Sequence, residues 1–485
     1  MKERERMEKS LQDKEARLKR RLENCGDVVF RSIRLGENTE ALVMFMEPAA
    51  GDLMGVSQMV LSFLGEKKEQ VIYRLESGNI GLLDVAYLSD EEQVIAAIFA
   101  GDVVVCADGM GNAIKVPTKG YPGLGVTKAD AEKGLRGSEE SFTDSVKINA
   151  TLLRKRLKST SLKVREYRVG TRSNTLVYVL YVEDLIFPEL MGRIEEKLKA
   201  YKVDAVLDSG IEEQLFSDMP GKLFVQLQST KRPALACEEL LNGRAVLLVD
   251  NSPEALLLPT AYQNFFQVAD DAYLNYLVVA GLRSVRYAAS VGAMFTPGAY
   301  VVAAGFENQL IPTHLFLAMQ RELVQTPFGA TVEILVMESA FLLLQEAGVR
   351  MPGEMSNAIG IVGGLIVGSA AVEAGLVSPM SVMVVAFASL CAFSVPNQEM
   401  AQAYRLISIV CLLLCSIFGT VGLWVSMLGT VMYLATLTSL GYPFLQKIDK
   451  VYVEPAPFRR LRSMFARHQN PIRLRRRKKE ELWKH

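Results

Sequence analysis

Hydrophobic and polar positions change rhythm partway along this chain. The first 260 residues carry short alternating runs. Val28–Leu35 and Glu40–Met46 read as strands joined by the turn Gly36-Glu37-Asn38-Thr39. Helical stretches follow, and then Asp102–Cys106 and Asn112–Pro117 flank Asp108-Gly109-Met110-Gly111 in a hairpin pattern. The same order recurs. Strands near Leu162–Gly170 and Thr175–Val182 lead into helices over Pro188–Tyr201 and Pro233–Leu241, and Ala245–Val249 and Ala255–Pro259 form a closing hairpin. Gly101, Asp108, Pro117 and Thr118 are spaced as Gly243, Asp250, Pro259 and Thr260 are, and Asp52-Leu53-Met54-Gly55 echoes Glu189-Leu190-Met191-Gly192. The front of the chain is therefore expected to be a duplicated α/β unit. The repeated Gly and Asp are expected to serve turn chemistry rather than a ligand.

The last two hundred residues behave differently. Tyr287–Phe306, Met355–Val372, Ala374–Gln398 and Leu406–Gln446 carry no charge, and the last run is 41 residues long. A membrane-crossing helix needs roughly 20 apolar residues, so the final run is long enough to cross twice. Phe328–Glu346 holds Glu333, Glu338 and Glu346 among apolar residues and reads as amphipathic, re-entrant or packed at a subunit interface. The predicted fold class is an α+β duplicated soluble N-terminal domain followed by an all-α multi-pass transmembrane domain. The expected divisions are a charged N-terminal helix (1–26), two soluble subdomains (27–118 and 138–262) around a linker (119–137), a transmembrane domain (263–445) and a basic tail (446–485).

Charge sharpens this picture. The net charge is zero, yet from Gln446 onward there are 13 Lys/Arg against 4 Asp/Glu. The positive-inside rule places such a tail in the cytoplasm, where it would meet anionic headgroups, with nucleic acid as the alternative. The first 24 residues hold nine basic and six acidic side chains and no apolar core, unlike a secretory signal peptide. Both ends are thus expected inside and the crossings even in number. Counting Phe328–Glu346 gives six spans, while omitting it gives five. Arg283 and Arg286 are expected to anchor the first span on the cytoplasmic side. Cys25, Cys106, Cys237, Cys391, Cys411 and Cys415 show no CxxC pair and read as buried thiols. With His314, His468 and His485 the only histidines, and no nucleotide-binding or hydrolase motif, composition leans against an enzyme, a metal site or any cofactor. Arg154, Lys155, Arg156 and Lys158 could grip nucleic acid but read first as a solvated helix end or a contact with a neighbouring subunit.

Several blocks resemble the A subunit of the GerA family of spore-germination receptors. They are Arg136-Gly137 through Phe142-Thr143-Asp144, then Asn149 with Leu152-Leu153-Arg154-Lys155-Arg156. Also similar are Val203–Gly210, Asn242–Asp250, Leu310-Ile311-Pro312-Thr313, Gln345–Pro352 and Gly360-Ile361-Val362-Gly363-Gly364 running to Pro379. The resemblance covers residues 130–445. Ser138 departs from the family's proline, and Thr230–Ala234 from its Thr-Glu-Arg-Pro-Asp, which leaves an accessory paralogue of the SpoVAF type open. The resemblance implies a homo-oligomeric, expectedly pentameric, cation channel in the spore inner membrane; the alternative from another class is a membrane-anchored scaffold whose duplicated domain recruits other germination proteins. The channel's partners would be a transporter-like B subunit, a lipoprotein C subunit and membrane lipids, without nucleic acid.

Projected as a helix, residues 357–377 put Gly360, Gly364, Gly368, Ala371 and Gly375 on one side, a face on which helices pack closely in a membrane. Val362, Ile366, Ser369 and Glu373 fall opposite. This pattern suits a pore helix in which Val362 and Ile366 make an apolar gate and Glu373 a cation-attracting ring. The alternative is a lipid-facing side with Glu373 reaching the headgroups. Glu338 is a second candidate for the ion path.

Overall fold

The computed structural model describes residues 10–118 and 138–445, apart from 48, 52, 79, 81–84, 187, 201–202, 209, 211–215, 217–222, 308–311 and 351–367. Two five-stranded antiparallel sheets occupy the front half. In the first, β1 (Val28–Leu35), β2 (Thr39–Met46), β3 (Ala86–Leu88), β4 (Val103–Ala107) and β5 (Ala113–Val116) lie in the order β1-β2-β4-β5-β3. In the second, β6 (Leu162–Val169), β7 (Thr175–Val182), β8 (Gln228–Thr230), β9 (Ala245–Val249) and β10 (Ala255–Leu258) repeat it as β6-β7-β9-β10-β8.

The repetition extends to register. Val103 faces Val116 as Ala245 faces Leu258, and Leu88 faces Ala113 as Thr230 faces Ala255. Duplication therefore holds residue by residue across the sheets. The echo of Asp52–Gly55 in Glu189–Gly192 does not. Met54 is 68% exposed, whereas Met191 is 7% exposed. The core faces that correspond are Val56, Met59 and Phe63 against Met191, Ile194 and Leu198.

Helices cover both faces of each sheet, which explains why the central strands Val103–Ala107 and Ala245–Val249 are apolar throughout. In the first unit α1 (Leu11–Arg21) and α4 (Glu91–Phe99) pack on one face, and α2 (Met54–Ser62) and α3 (Lys68–Ser77) on the other. In the second unit α5 (Val146–Arg156) and α7 (Pro233–Leu241) cover the matching first face and α6 (Pro188–Ala200) the second. The charged N-terminal helix is thus part of the first unit. Leu11 and Leu18 enter its core, and Lys14 donates to the Met110 carbonyl.

The repeated aspartates have a shared role. Asp108 Oδ1 accepts the amide of Leu11 at 3.4 Å, and Asp250 Oδ1 accepts that of Val146 at 3.1 Å. Each aspartate leaves its hairpin turn to meet the N-terminus of the helix that opens its own unit, a position where a negative charge is favoured.

The longer helices of the remainder are α8 (Tyr276–Gly305), α9 (Thr313–Gln325), α10 (Ala330–Arg350), α11 (Pro379–Phe393), α12 (Gln398–Phe418) and α13 (Thr420–Thr436). Two of them, α8 and α12, are long and apolar enough to cross a membrane. α11 and α13 are apolar but shorter, at 15 and 17 residues. The 41-residue run is broken at Gly419 (φ 58°), and α13 folds back along α12. Gly422 makes that possible, since a Cβ there would lie 2.2 Å from the Leu414 carbonyl oxygen.

Candidate functional site

Three places combine charge, burial and contact between parts of the chain. The first lies where the two soluble units meet. Arg154 is fully buried. Its Nε and Nη2 donate to Asp27 at 2.8 and 2.9 Å, and its Nη1 donates to the carbonyls of Ser159 and Leu162, each at 2.9 Å. The guanidinium also sits 4.6 Å from the Phe99 ring. Beside it the backbones of Cys25 and Val164 form a parallel bridge. Arg154 is therefore the pin between the units, not a solvated helix end.

Its neighbours brace the second unit itself. Lys155 and Arg156 both pair with Glu140. Burial alone would push the Glu140 carboxyl up, but hydrogen bonds from these two side chains hold it below the usual range. Asn149 accepts the Thr143 amide at 2.8 Å and donates to its carbonyl at 2.6 Å. The motif spanning 138–156 thus braces the start of the second unit and, through Arg154, pins it to the first.

The second place joins the soluble part to the helices. After α13 the chain forms a short hairpin, β11 (Thr438–Ser439) with β12 (Tyr442–Pro443), that docks into the second unit. Leu440 enters that unit's core, and its carbonyl accepts from Arg193 at 2.7 Å. Ser439 Oγ accepts the Thr260 amide at 3.1 Å and donates to the Gln226 carbonyl at 2.9 Å. Thr260 Oγ1 in turn accepts from buried Arg244 at 2.8 Å. The end of the final apolar run therefore belongs to the soluble part.

Around the hairpin stand aromatic side chains. Phe266 stacks on Tyr287 at 4.2 Å, Phe224 meets Tyr404 edge-on at 5.9 Å, and the Tyr262 and Tyr404 hydroxyls are 2.9 Å apart. Beside them Asp271 accepts from Arg283 at 2.9 Å and from Arg286 at 3.0 Å. Arg286 also donates to the Phe266 carbonyl. Burial would raise the Asp271 carboxyl, yet the two guanidinium groups win and hold it below the usual carboxylate range. Arg283 and Arg286 are thus occupied at this joint.

The third place is inside the helical bundle. Gly298 of α8 faces Cys411 and Cys415 of α12, where a Cβ would stand 2.7 Å from Cys411 Sγ. Gly292 faces Cys391 of α11, with a Cβ 3.0 Å from its sulfur. The membrane-run thiols are buried packing groups, as read from sequence. In the soluble part burial pushes the Cys106 and Cys237 thiols up to about 11 and about 12, so both are neutral at pH 7. Glu333, fully buried, accepts the Ser378 amide at 3.1 Å, Ser378 Oγ at 2.8 Å and Ser381 Oγ at 2.6 Å, and so holds Ser378, the residue whose side chain caps α11 by accepting the Ser381 amide. Ser408 of α12 donates to Glu338 at 3.2 Å.

Of the pore-helix residues, Gly360, Val362, Gly364 and Ile366 lie outside the described residues. Residues 368–373 are helical, with Ser369 and Glu373 exposed and Ala371 half-buried against the bundle. Gly368 approaches Val382 of α11, with a Cβ 3.7 Å from its methyl. Gly375 departs from the expected packing face. The helix has ended, Gly375 adopts φ 63°, and the amides of Leu376 and Gly375 return to the carbonyls of Ala371 and Val372, a glycine C-cap. Sequence reading missed the hairpin and the aromatic joint. Gly441 and Pro443 inside the last run were the available signal.

Fold and contacts define a class: a duplicated α/β module tied to a bundle of apolar helices. Many bundle side chains are bare on the outside, including Val410, Ile417, Trp424, Leu428 and Met432, each more than half exposed. An apolar surface of this kind points to membrane association. The chain belongs to the Bacillus/Clostridium GerA spore germination protein family, whose model matches residues 16–479.

Among its relatives, the uncharacterized membrane protein YfkQ of Bacillus subtilis is 31% identical over 92% of this chain and 86% of its own length. Spore germination protein KA of the same organism is 29% identical over 89% and 80%. GerLA of Bacillus cereus is 30% identical over 88% and 87%. The crystal structure of the N-terminal domain of the A subunit of the Bacillus megaterium spore germinant receptor GerK3 aligns at 19% identity and a TM-score of 0.41. The match covers 52% of this chain and 96% of that domain.

Proposed function

We propose that this chain is the A-type subunit of a spore germinant receptor, acting as a homo-oligomeric, pentameric cation channel in the spore inner membrane. A transporter-like B subunit would sense the nutrient, a lipoprotein C subunit would complete the receptor, and opening would release monovalent cations. The observation that carries this reading is the family match, which runs through the soluble units and the helical bundle alike. On this reading both termini lie in the cytoplasm and the number of crossings is even. The gate is assigned to Val362 and Ile366, and the cation-attracting group to Glu373 with Ser369 beside it. Exposure of Ser369 and Glu373 on the last turn of their helix supports that assignment. Glu338 remains the second candidate for the path. The reaction is gating and not catalysis.

The accessory-channel reading is favoured by the departures from the family's pattern, Ser138 in place of its proline and Thr230–Ala234 in place of its Thr-Glu-Arg-Pro-Asp. Spores lacking this chain separate the two. A receptor subunit is expected to abolish the response to one nutrient and spare the others. A uniform slowing across all nutrients would assign it to the accessory class, and normal germination with every nutrient would contradict both.

A further inference from the structure

Glu338 of α10 and Arg405 of α12, both half-buried, line one cavity of the bundle, and among the described residues neither has a full set of partners. Glu338 takes one hydrogen bond, from Ser408, a turn beyond Arg405. Arg405 donates to the Gln345 side chain and lies 5.9 Å from the Phe341 ring and 5.6 Å from that of Phe393. Those contacts satisfy only part of a five-donor guanidinium. Both charges line a cavity of about 20 Å³, together with Ser389, Ser408, Ala293 and Ala388. A water needs roughly 10–15 Å³ on such a measure, with two to four polar partners. The cavity offers that space and a carboxylate, a guanidinium and two hydroxyls.

We propose that one water bound in this cavity bridges Glu338 to Arg405, making a charge pair that latches α10 to α12 across α11. The inference rests on the bundle being membrane-embedded, where a lone charge is costly and a paired one is tolerated. It does not rest on ion conduction. Removing one partner leaves an uncompensated charge, whereas removing both does not.

The test is a double-mutant cycle on the full chain in detergent, read as the thermal midpoint: Glu338→Gln, Arg405→Met and both together. Each single change is expected to lower the midpoint, and the double variant to regain at least half of the larger loss. Additive losses, or singles at the wild-type midpoint, would overturn the pair. If the singles do not accumulate in the membrane, accumulation of the double variant is read instead, its presence supporting the pair and its absence overturning it. Ser389→Val, which fills the cavity, is expected to lower the midpoint of the wild type and leave that of the double variant unchanged. An equal fall in both overturns the bridging water. Flux through the chain is measured separately, so this outcome and that of the channel reading stay distinct.

Discussion

At Arg154 a buried charge is tolerated because every part of it is matched: a carboxylate on two nitrogens, two carbonyls and an aromatic face. Removing one member of such a pair typically costs about 3–5 kcal/mol. Arg154→Met is therefore expected to loosen the joint between the units, seen as a large fall in thermal midpoint. Lys155→Met, at a half-exposed pair, is expected to change stability by no more than about 1 kcal/mol. A similar cost for both would show that burial does not set the difference.

Asp271 gives a pH prediction. Its folded carboxyl titrates below the unfolded value of about 3.9, so its contribution is full above that value and is lost as pH falls through the lower folded one. Asp271→Asn is expected to destabilise the chain at neutral pH and to flatten the acid limb of its stability profile. An unchanged acid limb would remove Asp271 from it. The residue types were legible: Asp108 and Asp250 were seen as a repeat, but their partners lie about 100 residues away, beyond any local pattern.

Elements pack where small residues let them. Gly298 meets Cys411 and Cys415 so closely that even one methyl must displace sulfur. Gly298→Ala is expected to destabilise the α8–α12 contact, and Cys411→Ala in the same chain to restore much of the loss by removing the nearer sulfur. A double variant no better than the single would place the strain elsewhere. The docked hairpin makes the next prediction. Ser439→Ala removes the acceptor for the Thr260 amide and is expected to raise hydrogen exchange in residues 438–445 while leaving the first unit unchanged.

Long strands with alternating or wholly apolar residues were readable, as was the hairpin spacing of Gly101–Thr118. β3 and β8, three residues each, were not, because so short a stretch has no measurable period. The hairpin at 438–443 was hidden for another reason. It carries no charge and so merely prolongs the uncharged run, yet Ser439 and Leu440 bury against the second unit rather than in lipid.

The whole molecule is a chain of joints. Arg154 fixes one unit to the next, the hairpin and aromatic collar fix the second unit to the helices, and Glu333 fixes α10 to α11. Force or binding at the soluble part would reach the helices through the collar at Tyr262, Tyr404 and Asp271. The duplicated α+β part and the helical part were both legible in the sequence. The order of packing between helices was not, since apolar residues alone do not say which face meets which neighbour. The most direct test of the channel account is potassium flux across vegetative cell membranes expressing the full chain, comparing wild type, Val362→Ala, and Val362→Ala with Glu373→Gln. A leak that appears with Val362→Ala and weakens when Glu373 is neutralised is the predicted result. No leak from a chain present and oligomeric in the membrane would contradict it.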